Sequence, residues 1–205
     1  MENASSYESN EVIQQVKQAL AALAEETPSQ KRTLKAIGLI SKALQHFGVL
    51  PILVGGQAVE IYTFGKYTTF DVDFVLSGHE VANHILLALG FSAKDLGHSH
   101  WYYPALDLPI EVPDSVLFGS MDKVTQIQIE DLEIYIIGTE DLILDRLRAA
   151  VHWQSTSDME WAAFLLQSYL QDEAFDVEYL VTEAQKPEHA VFKELTTLLE
   201  ALQQP

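Results

Sequence analysis

The chain has 205 residues, 48% of them hydrophobic, no cysteine, and 30 acidic against 12 basic side chains, for a formal net charge of −18. That permits one core of ordinary size with an appended helical part. It excludes disulfides, thiolate metal sites and a cysteine nucleophile, and it disfavours a grip on long nucleic acid, which needs clustered Lys and Arg.

No apolar run reaches the roughly 18 residues of a membrane span, and the polar start MENASSYESNEV lacks a signal-peptide pattern. A cytoplasmic protein with no membrane contact is expected. Residues 11–25 repeat apolar positions at three and four and predict an amphipathic helix. Thr27-Pro28-Ser29 stops it and starts the next, with Ser29 as cap of a helix over 30–47 that Gly48 ends. Lys31, Lys35 and Lys42 share a face of that helix. With Arg32 they form the one basic cluster, a solvated face or a contact for a small anion or RNA.

VLPILV (49–54) predicts a short strand, Gly55-Gly56 a turn, and Gln57 to Phe64 a helix. DVDFVL (71–76) predicts a strand, and HEVANHILLALGF (79–91) a helix with Gly90 near its end. Residues 100–119 predict strands interrupted by Pro104, Pro109 and Pro113. VTQIQIEDLEIYII predicts a hairpin turning near Glu130-Asp131. Helices follow over 139–153, 157–171, 176–185 and 188–202, with Trp153 and Trp161 as core residues. The order predicts an α+β fold with helices at both ends. Its divisions are an N-terminal helix (1–29), a core (30–138) and a C-terminal helical subdomain (139–205).

The chemistry concentrates between Ile52 and Leu76. Asp71 and Asp73, two apart in a strand, project from one face. Two such anions repel unless a cation lies between them. Mg²⁺ suits the pair, because it takes oxygen ligands from one or two carboxylates plus substrate phosphates. Gly55-Gly56 lets the backbone approach closely, and amides at a helix start point at an anion. Alone, a glycine pair is a turn and a D-x-D a surface pair; together they suggest a metal–triphosphate site.

The stretch LVGGQAVEIYTFGKYTTFDVDFVL resembles the core motif of the DNA polymerase β-like nucleotidyltransferase superfamily. It is most similar to uncharacterised bacterial nucleotidyltransferase-like families and to the toxin half of AbiE-type toxin–antitoxin systems. Those proteins often read R-x-T-x-D-x-D. Here Thr69 matches the threonine, Tyr67 stands at the arginine, and Lys66 is an adjacent substitute. GTEDLILDRLRAAVHW…SDMEWAAFLL is similar to the family's E-D-L-I-x-x-K-L-x-A helix and the segment after it. Glu140, Asp141, Leu142, Leu147, Ala149 and Asp158 match, with Arg146 at the lysine.

The resemblance implies a nucleotidyltransferase-like mixed β-sheet flanked by helices. Asp71 and Asp73 would hold Mg²⁺, and Gly55, Gly56 and the amide of Gln57 would cradle phosphates. Lys66, Thr69 and Arg146 would contact the nucleotide, although Arg146 also reads as an exposed charge beside Asp145. Glu111 would be the third carboxylate, on a strand that Pro109 and Pro113 make short and an edge.

The implied activity is Mg²⁺-dependent transfer of a nucleoside monophosphate from an NTP to a hydroxyl. The acceptor would be a tRNA end, a protein or a small molecule such as an aminoglycoside, and an antitoxin is a conceivable protein partner. The alternative is a catalytically degenerate member that binds nucleotide or a partner. A third reading makes the D-x-D a plain surface pair on an acidic interaction module. His98 and His100 would suit a metal, but no third ligand lies at a convincing spacing. Trp101, Tyr102 and Tyr103 are strand aromatics or the wall of a base pocket. No G-x-S-x-G, Walker A lysine or H-E-x-x-H motif is present.

Overall fold

The computed structural model describes residues 10–93 and 99–203. His98 of the proposed histidine pair lies outside the described residues. Helix α1 (Glu11–Ala22) starts at Asn10, whose side chain accepts from the Val12 and Ile13 amides and satisfies two otherwise orphaned donors. Its apolar stripe of Ile13, Val16 and Leu20 is buried. Helix α2 (Ser29–His46) has Pro28 in the capping position and no side-chain cap. Ser29 is therefore the first helical residue and not the cap the sequence suggests. Lys31 and Lys35 both pair with Glu26 and Glu130, at 3.0–3.5 Å. Acidic partners thus occupy half of the basic cluster.

Strands β1 (Ile52–Val54), β2 (Val72–Val75), β3 (Ser92–Ala93), β4 (His100–Tyr103), β5 (Leu108–Asp114), β6 (Thr125–Ile129) and β7 (Leu132–Ile136) form one mixed sheet in the order β3-β4-β5-β2-β1-β7-β6. Helix α3 (Gly55–Tyr62) joins β1 to β2, and α4 (His79–Leu89) follows β2. After the sheet come α5 (Thr139–Trp153), α6 (Thr156–Tyr169), α7 (Val177–Ala184) and α8 (Phe192–Gln203). β1 is only three residues long, because the Val49 amide bonds the Leu44 carbonyl and Pro51 has no N–H. Gly55 and Gly56 belong to the first turn of α3.

One expectation is overturned. β5 is neither short nor an edge: it spans seven residues between β4 and β2. The Val112 amide donates to Ser99, on the β4 side. Alternation then turns the nitrogens of Pro109 and Pro113 toward β2. Pro109 precedes the first residue paired with β2, and Pro113 sits where that register shifts. Neither proline removes a hydrogen bond that the ladder would have made.

The sheet's two faces differ. Leu53, Phe74, Ile110, Ile134 and Ile136 are buried on the face covered by α2 and α4. Trp101 joins them, its indole N–H donating to Asn83 of α4. Tyr103 is buried against Phe91. These two aromatics are therefore core residues. Trp161 is partly buried against Tyr67 and Phe164. Trp153, expected in the core, is 80% exposed, because the buried stripe of α5 ends at Ala150.

At Gly38 of α2 an added Cβ would lie 2.8 Å from the Leu132 Cβ. Gly38→Ala should lower stability in urea unfolding, because overpacking costs about 1–3 kcal/mol against about 1 kcal/mol gained in helix propensity. In a Leu132→Ala background part of that cost should remain, because the Leu132 Cβ, 2.8 Å from the added methyl, is kept.

Candidate active site

The face opposite the core carries the chemistry. Val54 registers with Asp73, and Asp73 registers with Glu111 on the parallel neighbour β5. Cross-strand partners share a face, so the Asp73 and Glu111 side chains lie beside each other. Asp71, two residues upstream of Asp73, joins them. Val72 and Phe74 point the other way and are buried. The alternation of DVDF thus anchors the strand with one set of residues and presents carboxylates with the other.

The β1–α3 turn abuts Asp73 directly. Gly55 has φ +62, and a Cβ there would lie 2.1 Å from Asp73 Oδ2. Only glycine meets both conditions. The Gly56 N–H donates to the Asp73 carboxylate. Thr69 donates its hydroxyl to Asp71 Oδ1. The Thr69 backbone is itself held from α3: its N–H donates to Glu60 at 3.3 Å, and its carbonyl accepts from Gln57 Nε2 at 3.3 Å. Gln57 and Glu60 are buried. The Gln57 side chain is a bracket between α3 and residue 69. Lys66 sits over the Phe164 ring, 4.7 Å from its centroid, and does not line the carboxylate cavity.

That cavity holds about 380 Å³ and is lined by Gly55, Asp71, Asp73, Glu111, Asp145 and Arg146, among others. Arg146 is no exposed charge. Its guanidinium is mostly buried, hydrogen-bonded to Asp145 and 3.0 Å from Asp158. Burial pulls its pKa down, but Asp145 and Asp158 outweigh that and hold it above the usual value. The matched Asp158 therefore orients Arg146. Sequence reasoning missed Asp145 as a lining residue, although it adjoins Arg146 in the same motif.

It also missed the wall formed after β5 by Val116, Leu117 and Phe118. No periodic signal marks that loop, but its anchors lie in the matched Glu140-Asp141 pair. Asp141 accepts from the Ser120 amide at 2.9 Å and the Tyr179 hydroxyl at 2.7 Å. Glu140 accepts from the Asp176 amide at the start of α7. Phe118 packs under the Arg148 guanidinium and against His189.

The electrostatics suit a cation. Asp73 has its pKa raised to about 6, first by burial, then by the charges of Asp71 and Glu111; Arg146 and the Gly56 amide oppose the rise. Tyr67 feels the same field: burial raises its pKa, Arg146 lowers it, and Asp158, Asp71 and Asp73 raise it. The tyrosine standing at the family's arginine thus lies within the site's electrostatic reach. Among the described residues no group of three or more His, Asp or Glu is disposed to hold a metal by itself. Mg²⁺ characteristically takes one or two carboxylates and completes its shell with phosphates and water. Crowded carboxylates with one proton-hungry member fit such an ion.

No protein-family model matches the chain, and no curated protein matches it in sequence. Among the solved structures similar in fold are two nucleotidyltransferase-related proteins. One is an antigenic nucleotidyltransferase-like protein from Paracoccidioides brasiliensis, 15% identical, with a TM-score of 0.57 over 86% of this chain and 93% of that one. The other is the antibiotic-resistance factor ANT(2'')-Ia, 14% identical, with a TM-score of 0.52 over 79% of this chain and 91% of that one. The chain thus has the α+β nucleotidyltransferase fold, a mixed sheet flanked by helices.

The raised pKa of Asp73 makes stability pH-dependent. The folded state holds this proton more tightly than the unfolded state does, so its contribution is present at low pH and is lost as pH rises from about 4 to about 6. In chelator, Asp73→Asn should remove that loss and stabilise the protein at pH 7 by up to about 3 kcal/mol, as read by thermal unfolding across pH. Gly55→Ala should destabilise by about 1–2 kcal/mol from its left-handed backbone alone, with a further cost for displacing Asp73; urea unfolding reads both.

Proposed function

We propose that this protein is a Mg²⁺-dependent nucleotidyltransferase that moves a nucleoside monophosphate from an NTP to a hydroxyl acceptor. The observation that carries this reading is the convergence of Asp71, Asp73 and Glu111 with the Gly55 turn and Arg146 around one cavity. Asp71 and Asp73 would hold the magnesium ion, which when bound supplies positive charge against the triphosphate. The α3 amides and Arg146 would bind phosphate oxygens. Thr69 steers Asp71 through its hydroxyl. Glu111, half-exposed beside Asp73, would accept the proton of an attacking hydroxyl. Catalysis would come from positioning and charge, with no covalent intermediate on the protein.

The net charge of −18 favours a small or protein acceptor over long RNA. It also suits a basic protein partner in the cytoplasm, such as an antitoxin. Among the described residues no helix is long and apolar enough to cross a membrane. The degenerate reading draws support from two features: Arg146 is already engaged by two carboxylates, and Tyr67 replaces the motif's arginine. An NTP that binds without label transfer to any acceptor pool would favour it.

The deciding measurement is thermal stability with each of the four NTPs, with and without Mg²⁺. A native-state ligand at a hundredfold excess over its dissociation constant should add about 2.7 kcal/mol. The gain should require Mg²⁺ and should vanish in the Asp71→Asn, Asp73→Asn protein, as should label transfer from an α-labelled NTP. Transfer by that variant at the parent rate would refute the mechanism.

A further inference from the structure

The carboxylates stand between two cavities. On the β1–α5 side lies the one that Gly55 and Arg146 line. On the β4 side lies a second, more open cavity of about 590 Å³, bounded by Phe70, Asp71, His100, Tyr102, Pro109 and Glu111. Among the described residues, Asp71 and Glu111 alone border both. The second cavity follows from register: His100 pairs with Glu111 and Tyr102 with Pro109 across the β4–β5 ladder, so these side chains share the site face.

Its chemistry differs from that of the first. Phe70 is 85% exposed immediately beside Asp71, an apolar ring left in water at the rim of a charged site. Tyr102 and Pro109 add flat surface, and the Tyr102 hydroxyl is held by Asp107 at 2.6 Å. No Lys or Arg is among the described residues that line it, and two carboxylates form its inner edge. Such a cavity repels anions and offers ring faces. His100 Nε2 lies 3.2 Å from Glu111 Oε1, and His100 Nδ1 lies 3.0 Å from Ser99 Oγ. With Ser99 donating to Nδ1, Nε2–H donates to Glu111 and leaves its second oxygen for another proton donor.

We infer that the second cavity receives the acceptor, and that the acceptor is a small hydroxyl compound with a flat apolar body and no anionic group. This rests on the nucleotidyltransferase reading of the first cavity. The acceptor body lies on Phe70, and its hydroxyl reaches Glu111. The hydroxyl proton passes to Glu111 as the oxygen forms a bond to the α-phosphorus. The bond from that phosphorus to the bridging oxygen breaks, and pyrophosphate leaves with the electron pair. His100 is a positioning residue that orients Glu111. A nucleic-acid end or a phosphorylated acceptor meets two carboxylates and, among the described residues, no Lys or Arg here.

The test uses the full chain with Mg²⁺ and a non-hydrolysable NTP analogue, and two probes: tyramine and its phosphate ester. They share a ring and an amine; the ester caps the phenol hydroxyl with an anion, so it lacks both features the cavity is inferred to select. Ring signals of His100 should shift saturably with tyramine and not with the ester. Phe70→Ala should weaken tyramine binding by about tenfold; the ring is exposed, and the same spectra report that the fold is intact. An unmoved His100, equal binding of the ester, or parent affinity in Phe70→Ala overturns the inference. An NTP stability shift without tyramine binding removes this inference alone, whereas absence of the NTP shift removes both readings.

Discussion

The structure turns on one contact: the Asp73 carboxylate pressed against a turn that has no room for a Cβ. Gly55 yields its side chain to Asp73 Oδ2, and the Gly56 amide donates to the same carboxylate. Asp71 and Glu111 crowd Asp73 from its own strand and from the neighbouring one. Burial plus two like charges makes ionisation of Asp73 costly. A fold optimised for stability alone would carry Asn or an apolar residue there. The proposed magnesium ion would offset that cost.

The surroundings hold that arrangement in place through buried polar brackets. Gln57 and Glu60 fix the backbone of Thr69, and Thr69 fixes Asp71. Asp145 and Asp158 hold Arg146 at the cavity wall. Asp141 ties the loop after β5 to α5 and α7. Each carboxylate in these brackets is satisfied by amides, hydroxyls or a guanidinium, as a polar group removed from water must be. The matched E-D-L-I helix thus shapes the site mainly through its scaffold: Glu140 and Asp141 fasten chain segments, and only Asp145 and Arg146 reach the cavity. Among the described residues, Arg146 is the one Lys or Arg lining the first cavity.

Much of this was legible in the residues. Apolar periodicity marked α1, α2, α4 and the terminal helices, because a helix must bury one stripe. Alternation marked β2 and the β6–β7 hairpin. The D-x-D spacing placed two carboxylates on one face, because side chains alternate along any strand. Less was legible for Gln57, whose amide serves the backbone at residue 69, and for Trp153, which lies beyond the end of its helix's buried stripe. The status of β5 was misread, since a proline's cost depends on which neighbour its nitrogen faces.

By itself, then, the sequence determined the elements, the α+β class and the acidic pair with its glycine turn, all consequences of local geometry repeated at short spacing. Tertiary structure alone decided that Glu111 stands beside Asp73, that Arg146 reaches the same cavity, that His100 touches Glu111, and that two cavities meet at the carboxylates. Those facts depend on how strands and helices pack in three dimensions, which brings together residues as far apart in sequence as Gly55 and Arg146. No short-range pattern encodes them, because register is settled by how the buried faces of different strands pack.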